Sequence, residues 1–328
     1  MGRVLVTGAT GFLGGHVVAK LAASGISVLA LGRQSERSAA LVAAGHTVVR
    51  QDLATSFDAA THPALREVEA IIHCAARSAP FGRLAEFERD NVITTRNLVN
   101  FARQNGVRRF VHISTPSVYF AYRDQIGVRE DALLPSPLNH YARTKRQAEE
   151  IVCAAREIGP VILRPRGIYG RGDSALMPRL LRAARRGPLP LFRNGRARID
   201  LTHVDDVVDA VLTALTAGVD AEGEIFNISG GEVVPVRQIA NDACLRAGVV
   251  ARWRSMPLAP AMLAASVMEA GAFFVPGRRE PPVTRYGLGL FAYAQSLDIS
   301  KAARVLRWTP KVRFDDGLER TFTKEFAA

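Results

Sequence analysis

Short apolar runs alternate with longer amphipathic stretches through the first half of the chain. Val4-Leu5-Val6 reads as a buried strand and Phe12 to Ser24 as a helix, followed by a strand at Val28 to Leu31 and a helical run from Ser35 to Ala44. Thr47 to Arg50, Ala70 to His73 and Phe110 to Ile113 continue the strands, with the helical stretch Leu84 to Asn105 between the last two. A helix from Tyr141 to Glu157 then leads into a strand at Val161 to Leu163. Strands separated by helices predict an α/β fold, a doubly wound parallel sheet covered on both faces. After Arg164 the texture changes, and Pro and Gly crowd into Arg164-Pro165-Arg166-Gly167 and Arg186-Gly187-Pro188. A chain of 328 residues exceeds the size at which one core usually stops growing. We therefore expect a main domain over residues 1–165 and a smaller lobe over 166–328, interdigitated with it and adding a last strand or two to the sheet.

Composition adjusts this picture only slightly. Hydrophobic residues make up 48% and charged residues 23%, which is globular rather than disordered. Cys74, Cys153 and Cys244 are far apart, and the seven histidines form no close cluster with them, so we expect reduced thiols and no metal site. The strand pattern that begins at Arg3 has no charged leader before it, so we expect no secretory signal and a cytoplasmic protein. Net charge is +12, and only five of the 43 basic residues are lysine. The arginines are scattered, apart from short runs such as Arg179 to Arg186, and no nucleic-acid-binding motif accompanies them. An anionic cofactor or a peripheral membrane contact explains the excess better than nucleic acid.

Thr7-Gly8-Ala9-Thr10-Gly11-Phe12-Leu13-Gly14 closes the first strand and opens the first helix. Gly8 permits the tight turn, Gly11 lets the backbone approach a pyrophosphate, and Gly14 lets helix and sheet pack closely. The helix N-terminus supplies free N–H groups, so Gly8, Thr10, Gly11, Phe12, Leu13 and Gly14 are read as a dinucleotide cradle. At the end of the second strand, where an acid would bind ribose hydroxyls, stand Gly32 and Arg33. A guanidinium pairs with a 2′-phosphate, which favours NADP over NAD, although Arg33 also reads as one more surface arginine.

Tyr141 and Lys145 are four apart on a helix and so share a face. A nearby ammonium favours the phenolate and lowers its pKa, which suits a proton-transfer pair. The pair, the glycine turn and the stretch His112-Ile113-Ser114-Thr115-Pro116-Ser117-Val118-Tyr119 resemble the extended short-chain dehydrogenase/reductase superfamily, in its NAD-dependent epimerase/dehydratase group. The resemblance runs over nearly the whole chain and implies a Rossmann-type sheet with a C-terminal substrate lobe. It implies that Thr115 completes a triad with Tyr141 and Lys145, with Ser114 as second choice, although a hydroxyl at a strand end also serves to cap backbone. It further implies that Asp52 and Leu53 sit against the adenine, that Cys74, Ala75 and Ala76 line the cofactor path, and that Asn91 lies beneath the site.

Within this group the sequence departs from sugar-nucleotide enzymes twice. Pro116 and Ser117 stand where dehydratases of this kind carry Asp-Glu, and Gly167 stands where many relatives place a diphosphate-binding Asn. Leu163 to Asp173, Asp200 to Val207 and Glu280 to Arg285 are similar to the 3β-hydroxysteroid dehydrogenase branch, which includes sterol dehydrogenases and long-chain 3-oxoacyl reductases. Leu258 to Val275 is apolar apart from Ser266 and Glu269, a poor spanning helix that would line a greasy pocket, rest on a membrane surface or fill the core of the lobe. The expected activity is reversible oxidation of a secondary alcohol to a ketone on a small hydrophobic substrate. The alternatives are a nucleotide-sugar 4-epimerase using the same triad, and a non-catalytic redox sensor that binds NADP and a protein partner. Monomer and homodimer both remain open.

Overall fold

The structure is a computed structural model that describes residues 2–33, 35–55, 57, 62–272 and 280–323. Strands β1 (Arg3–Thr7), β2 (Val28–Gly32), β3 (Thr47–Arg50), β4 (Val68–His73), β5 (Arg109–Ile113), β6 (Pro160–Pro165) and β7 (Glu224–Ile228) form one sheet. Their order is β7-β6-β5-β4-β1-β2-β3, with every neighbouring pair parallel. The doubly wound sheet expected from the alternation is thus present. Strand order reverses between β1 and β4, which opens a crevice at their carboxyl ends, the place where such sheets hold ligands.

Successive side chains of a strand point to opposite faces, and both faces of this sheet are apolar. Val4 and Val6 face helix α1 (Phe12–Ala23) and the helix Val204–Thr216, where Val17, Leu21, Val207 and Val211 cover them. Leu5 faces the other way, into a layer built by Leu98 and Phe101 of one helix and Val152 of another. Helix α2 (Ser35–Ala43) follows β2, and α3 (Leu84–Phe87) and α4 (Thr94–Gln104) precede β5. Helix α5 (His140–Cys153) starts where the Asn139 side chain accepts from Ala142 N at 2.8 Å, one residue earlier than the sequence pattern suggests.

One predicted element is broken. Leu84 to Asn105 was expected as a single helix, but α3 and α4 are joined through a π-helical turn, Glu88–Ile93. The wider turn carries buried Asp90 and Asn91, and such insertions recur at functional sites.

A second sheet consists of Val233–Pro235, Arg198–Asp200, Gln295–Leu297 and Gln125–Val128, in that order, and its last strand comes from within residues 1–165. The stretch Asp200 to Val207 ties it to the main sheet. Asp200, fully buried, accepts from Ser229 Oγ (2.6 Å) and Leu297 N (2.8 Å) and pairs with Arg166 (3.5 Å). Thr202 Oγ1 donates to Arg166 O at 2.6 Å, and Asp206 accepts from Lys311 N and Val312 N. The apolar run forms the helix Leu258–Ala272, and its last residues, 273–275, lie outside the described residues. Leu258, Met262 and Ala265 pack on Leu288 and Ala292, while Leu263 and Val267 remain 68% and 65% exposed. No helix among the described residues is long and apolar enough to cross a membrane.

Candidate active site

The glycine turn is built for close approach. Gly8 has φ +67°, and a Cβ there would lie 2.7 Å from Ala75 N, so the loop after β4 rests directly on the turn. A Cβ at Gly14 would overlap the Gly8 carbonyl. Gly32 leaves room for the Thr10 side chain, which a Cβ at that position would meet at 2.7 Å. Helix α1 begins at Gly11 with no side-chain cap, so its first N–H groups face a cradle made of bare backbone. That arrangement fits a diphosphate, and the turn would hold a dinucleotide there.

The walls come from neighbouring strand ends. Ala75 N donates to Thr7 Oγ1 at 3.3 Å, and Thr7 also bonds His73 Nδ1 at 2.7 Å. Burial pushes the Cys74 thiol up to about 12, which keeps it protonated. Asn91 accepts from Arg77 N (2.7 Å) and donates to Thr144 Oγ1 (3.0 Å), fastening the loop that follows Ala76 to the helix residue next to Lys145. Asp52 accepts from Ala54 N at 3.0 Å and pairs with Arg89, while Leu53 is buried beside it. Arg33 is exposed and donates to Asp90 at 3.1 Å, and Arg77 and Arg89 share the same carboxylate at 3.0 Å each.

Tyr141 and Lys145 both come from α5 and meet the end of β5, Tyr141 beside Thr115 and Lys145 at Ile113. The Thr115 hydroxyl lies beside the Tyr141 phenol. Ser114, one residue earlier, is buried and its hydroxyl has no hydrogen-bond partner among the described residues, while Thr115 Oγ1 accepts from Ser117 N and caps the turn that follows. The Lys145 amine is buried, donates to Ile113 O at 2.7 Å and meets His112 Nε2 at 3.0 Å. Burial lowers its pKa to about 8. The ammonium was expected to draw the phenol down. Instead burial pushes Tyr141 up to about 12; the Thr115 hydroxyl opposes this and the Tyr286 phenol adds to it. The amine is engaged by Ile113 O and His112, and burial dominates at the phenol.

Sequence reasoning singled out neither His112 nor Tyr286. His112 lies opposite His73 in the register of β5 and β4, and nothing in its own strand pattern distinguishes it from a core residue. Tyr286 follows directly on Glu280 to Arg285, a stretch noted only for its likeness to one branch. Its phenol meets Ser117 Oγ at 2.8 Å, and Thr115 Oγ1 donates to the same Ser117 oxygen at 3.0 Å. Phe120 packs edge-on against Tyr286 (5.1 Å between centroids) and Tyr122 (5.6 Å), giving the site an aromatic wall. No group of His, Cys, Asp or Glu among the described residues could hold a metal ion.

The model of the NAD dependent epimerase/dehydratase family matches residues 4–229. The chain is 31% identical to a 2-alkyl-3-oxoalkanoate reductase of Stenotrophomonas maltophilia, over 97% of this chain and 98% of that one. It is also 31% identical to the human decarboxylating sterol-4-alpha-carboxylate 3-dehydrogenase, over 71% of this chain and 63% of the relative. Among solved structures, UDP-glucuronic acid 4-epimerase of Bacillus cereus with UDP-glucuronic acid and NAD superposes with a TM-score of 0.76 at 24% identity, covering 98% of both chains. The chain therefore belongs to the NAD-dependent epimerase/dehydratase family, as an NAD(P)-dependent enzyme of the short-chain dehydrogenase/reductase type.

Proposed function

We propose that the protein interconverts a secondary alcohol and a ketone on an apolar substrate of the 3-oxoacyl or 3β-hydroxysteroid type, with NADP preferred to NAD. The observation that carries this reading is at Gly167. It has φ +47°, and a side chain there would meet Leu201 Cδ2 at 2.5 Å, so an apolar residue fills the space that a diphosphate-binding Asn would need. The near full-length likeness to a 2-alkyl-3-oxoalkanoate reductase supports the same substrate class.

A bound nicotinamide dinucleotide supplies or accepts the hydride. The glycine turn would hold its diphosphate, Asp52 and Leu53 its adenine, Arg33 a 2′-phosphate and Lys145 its ribose. In the reductive direction the Tyr141 phenol gives its proton to the substrate oxygen. A phenol pushed up to about 12 stays protonated throughout the neutral range, as this role needs. Thr115, which gives its own hydrogen to Ser117, would keep the phenol in place beside that oxygen. Pro116 and Ser117 bring no acid to the position after Thr115, so the site lacks the pair that expels water in a dehydratase.

The test is a substrate panel at matched cofactor, steroid and long-chain 3-oxo compounds against UDP- and dTDP-sugars, with Tyr141→Phe as the control. Each further buried methylene stabilises binding by about 0.8 kcal/mol, so the rate at limiting ketone should rise roughly fourfold per carbon until the pocket is full. Net consumption of NADPH with the ketones, abolished in Tyr141→Phe, is the expected outcome. Epimerised sugar with inert ketones overturns the reading.

A further inference from the structure

The bond between Ser117 and Tyr286 has no part in the chemistry assigned so far. Ser117 comes from the loop after β5, whereas Tyr286 comes from the helix Arg285–Ala292 of the lobe. That helix is anchored firmly. Thr284 caps it by accepting from Gly287 N at 3.0 Å, and Arg285 N donates to Glu269 at 2.8 Å. The ring of Tyr286 packs on Phe120, so packing alone would be served by a phenylalanine.

The hydroxyl hydrogens can be counted. Thr115 accepts from Ser117 N at 3.1 Å and donates its own hydrogen to Ser117 Oγ. One hydrogen spans Ser117 and Tyr286, whichever of them donates. The remaining one has no acceptor among the described residues and is available to an oxygen of a ligand. This free donor belongs to a pair that adjoins the Tyr141–Thr115 pair, because the Thr115 and Ser117 hydroxyl oxygens are 3.0 Å apart. When the two oxygens of a 1,3-dioxygenated compound turn to the same side, they lie on the order of 3 Å apart, one hydrogen-bond length.

We propose that Ser117 and Tyr286 form a second oxygen-binding pair, which selects substrates carrying a carbonyl or carboxyl oxygen on the second carbon from the reacting ketone, as in 3-oxo acids and their esters. The inference rests on the reading of the site as a ketone reductase and narrows it. A monoketone of equal length fills the same apolar wall but leaves the pair without its acceptor, and a site built to bond an oxygen discriminates against a ligand that lacks it.

The experiment is a competition between 3-oxododecanoate and dodecan-3-one in one reaction, which reads the ratio of kcat/KM values independently of the folded fraction. The native enzyme should prefer the 3-oxo acid. Tyr286→Phe should reduce that ratio roughly 5- to 100-fold, the effect of one lost hydrogen bond to the substrate. Ser117→Ala should do the same from the other side of the pair. A ratio within twofold of native in both variants overturns the proposal, because a bond that merely ties lobe to sheet affects the two substrates alike. If the native enzyme consumes cofactor with neither ketone and epimerises a sugar instead, the ketone reading falls and this proposal with it. An unchanged ratio with active ketones ends this proposal alone.

Discussion

Arg33 shows how one residue can serve two electrostatic partners. Its guanidinium is exposed at the end of β2 and donates to Asp90, a carboxylate that also holds Arg77 and Arg89. A 2′-phosphate would take Arg33 over from Asp90 without leaving that carboxylate unpaired, because two arginines remain on it. Arg33→Ala should therefore raise the KM for NADPH at least severalfold and leave that for NADH within about twofold, as steady-state kinetics with both cofactors would show. Equal changes for the two cofactors would remove Arg33 from the 2′-phosphate. At this scale the candidate pair Tyr141 and Lys145 is legible as a spacing along one helix, whereas Thr115 is picked out only by the family resemblance of the stretch around it. Tyr286 and His112 are not legible, because each meets the site through a contact with a distant segment and carries no local pattern.

The pairing of β4 with β5 sets His73 opposite His112 in the interior of the sheet. Thr95 Oγ1 already donates to Asn91 O at 2.6 Å, so it accepts from His73 Nε2, which fixes a proton on that nitrogen. Burial holds the His73 pKa down at about 3 and lowers that of His112 as well. An unfolded histidine titrates near 6.5, so below that pH the unfolded chain binds protons that the folded one refuses. Stability should fall as pH drops from 6.5 towards 3, by roughly 1.4 kcal/mol per pH unit for each of these two histidines. Denaturation of the native protein and of His73→Phe at pH 6.5, 5.5 and 4.5 should show the shallower slope in the variant, and parallel slopes would contradict the assignment. The five strands β1 to β5 were readable because each is a short apolar run bounded by polar turns. The strands of the lobe were not, for Gln295–Leu297 pairs with Gln125–Val128 across about half of the chain, and three-residue strands leave little periodicity. The π-helical turn escaped for a related reason: one wide turn inside a helix hardly disturbs its apolar spacing.

For the molecule as a whole, the junction between the two sheets rests on Asp200. Its carboxylate is buried, takes hydrogen bonds from Ser229 and Leu297 and faces the buried Arg166, which also donates to Gln295. Removing one member of such a pair strands the other charge in the interior, at a cost of about 3–5 kcal/mol. Asp200→Ala should lose that much in chemical denaturation, whereas Asp200→Asn, which keeps an acceptor oxygen, should lose less. A loss below about 1 kcal/mol for Asp200→Ala would show that the lobe is held elsewhere.

The late arrival of β7 has a consequence for synthesis. Strand β6 ends at Pro165, but the strand that covers its outer edge is Glu224–Ile228. At about 5–20 residues per second, a ribosome needs roughly 3 to 13 s to make the intervening segment. Throughout that interval the nascent chain presents Val161, Ile162 and Leu163, all destined for the interior, along an unpaired strand edge. That edge is where a chaperone would engage the growing chain, and where two chains on one messenger would stick to each other.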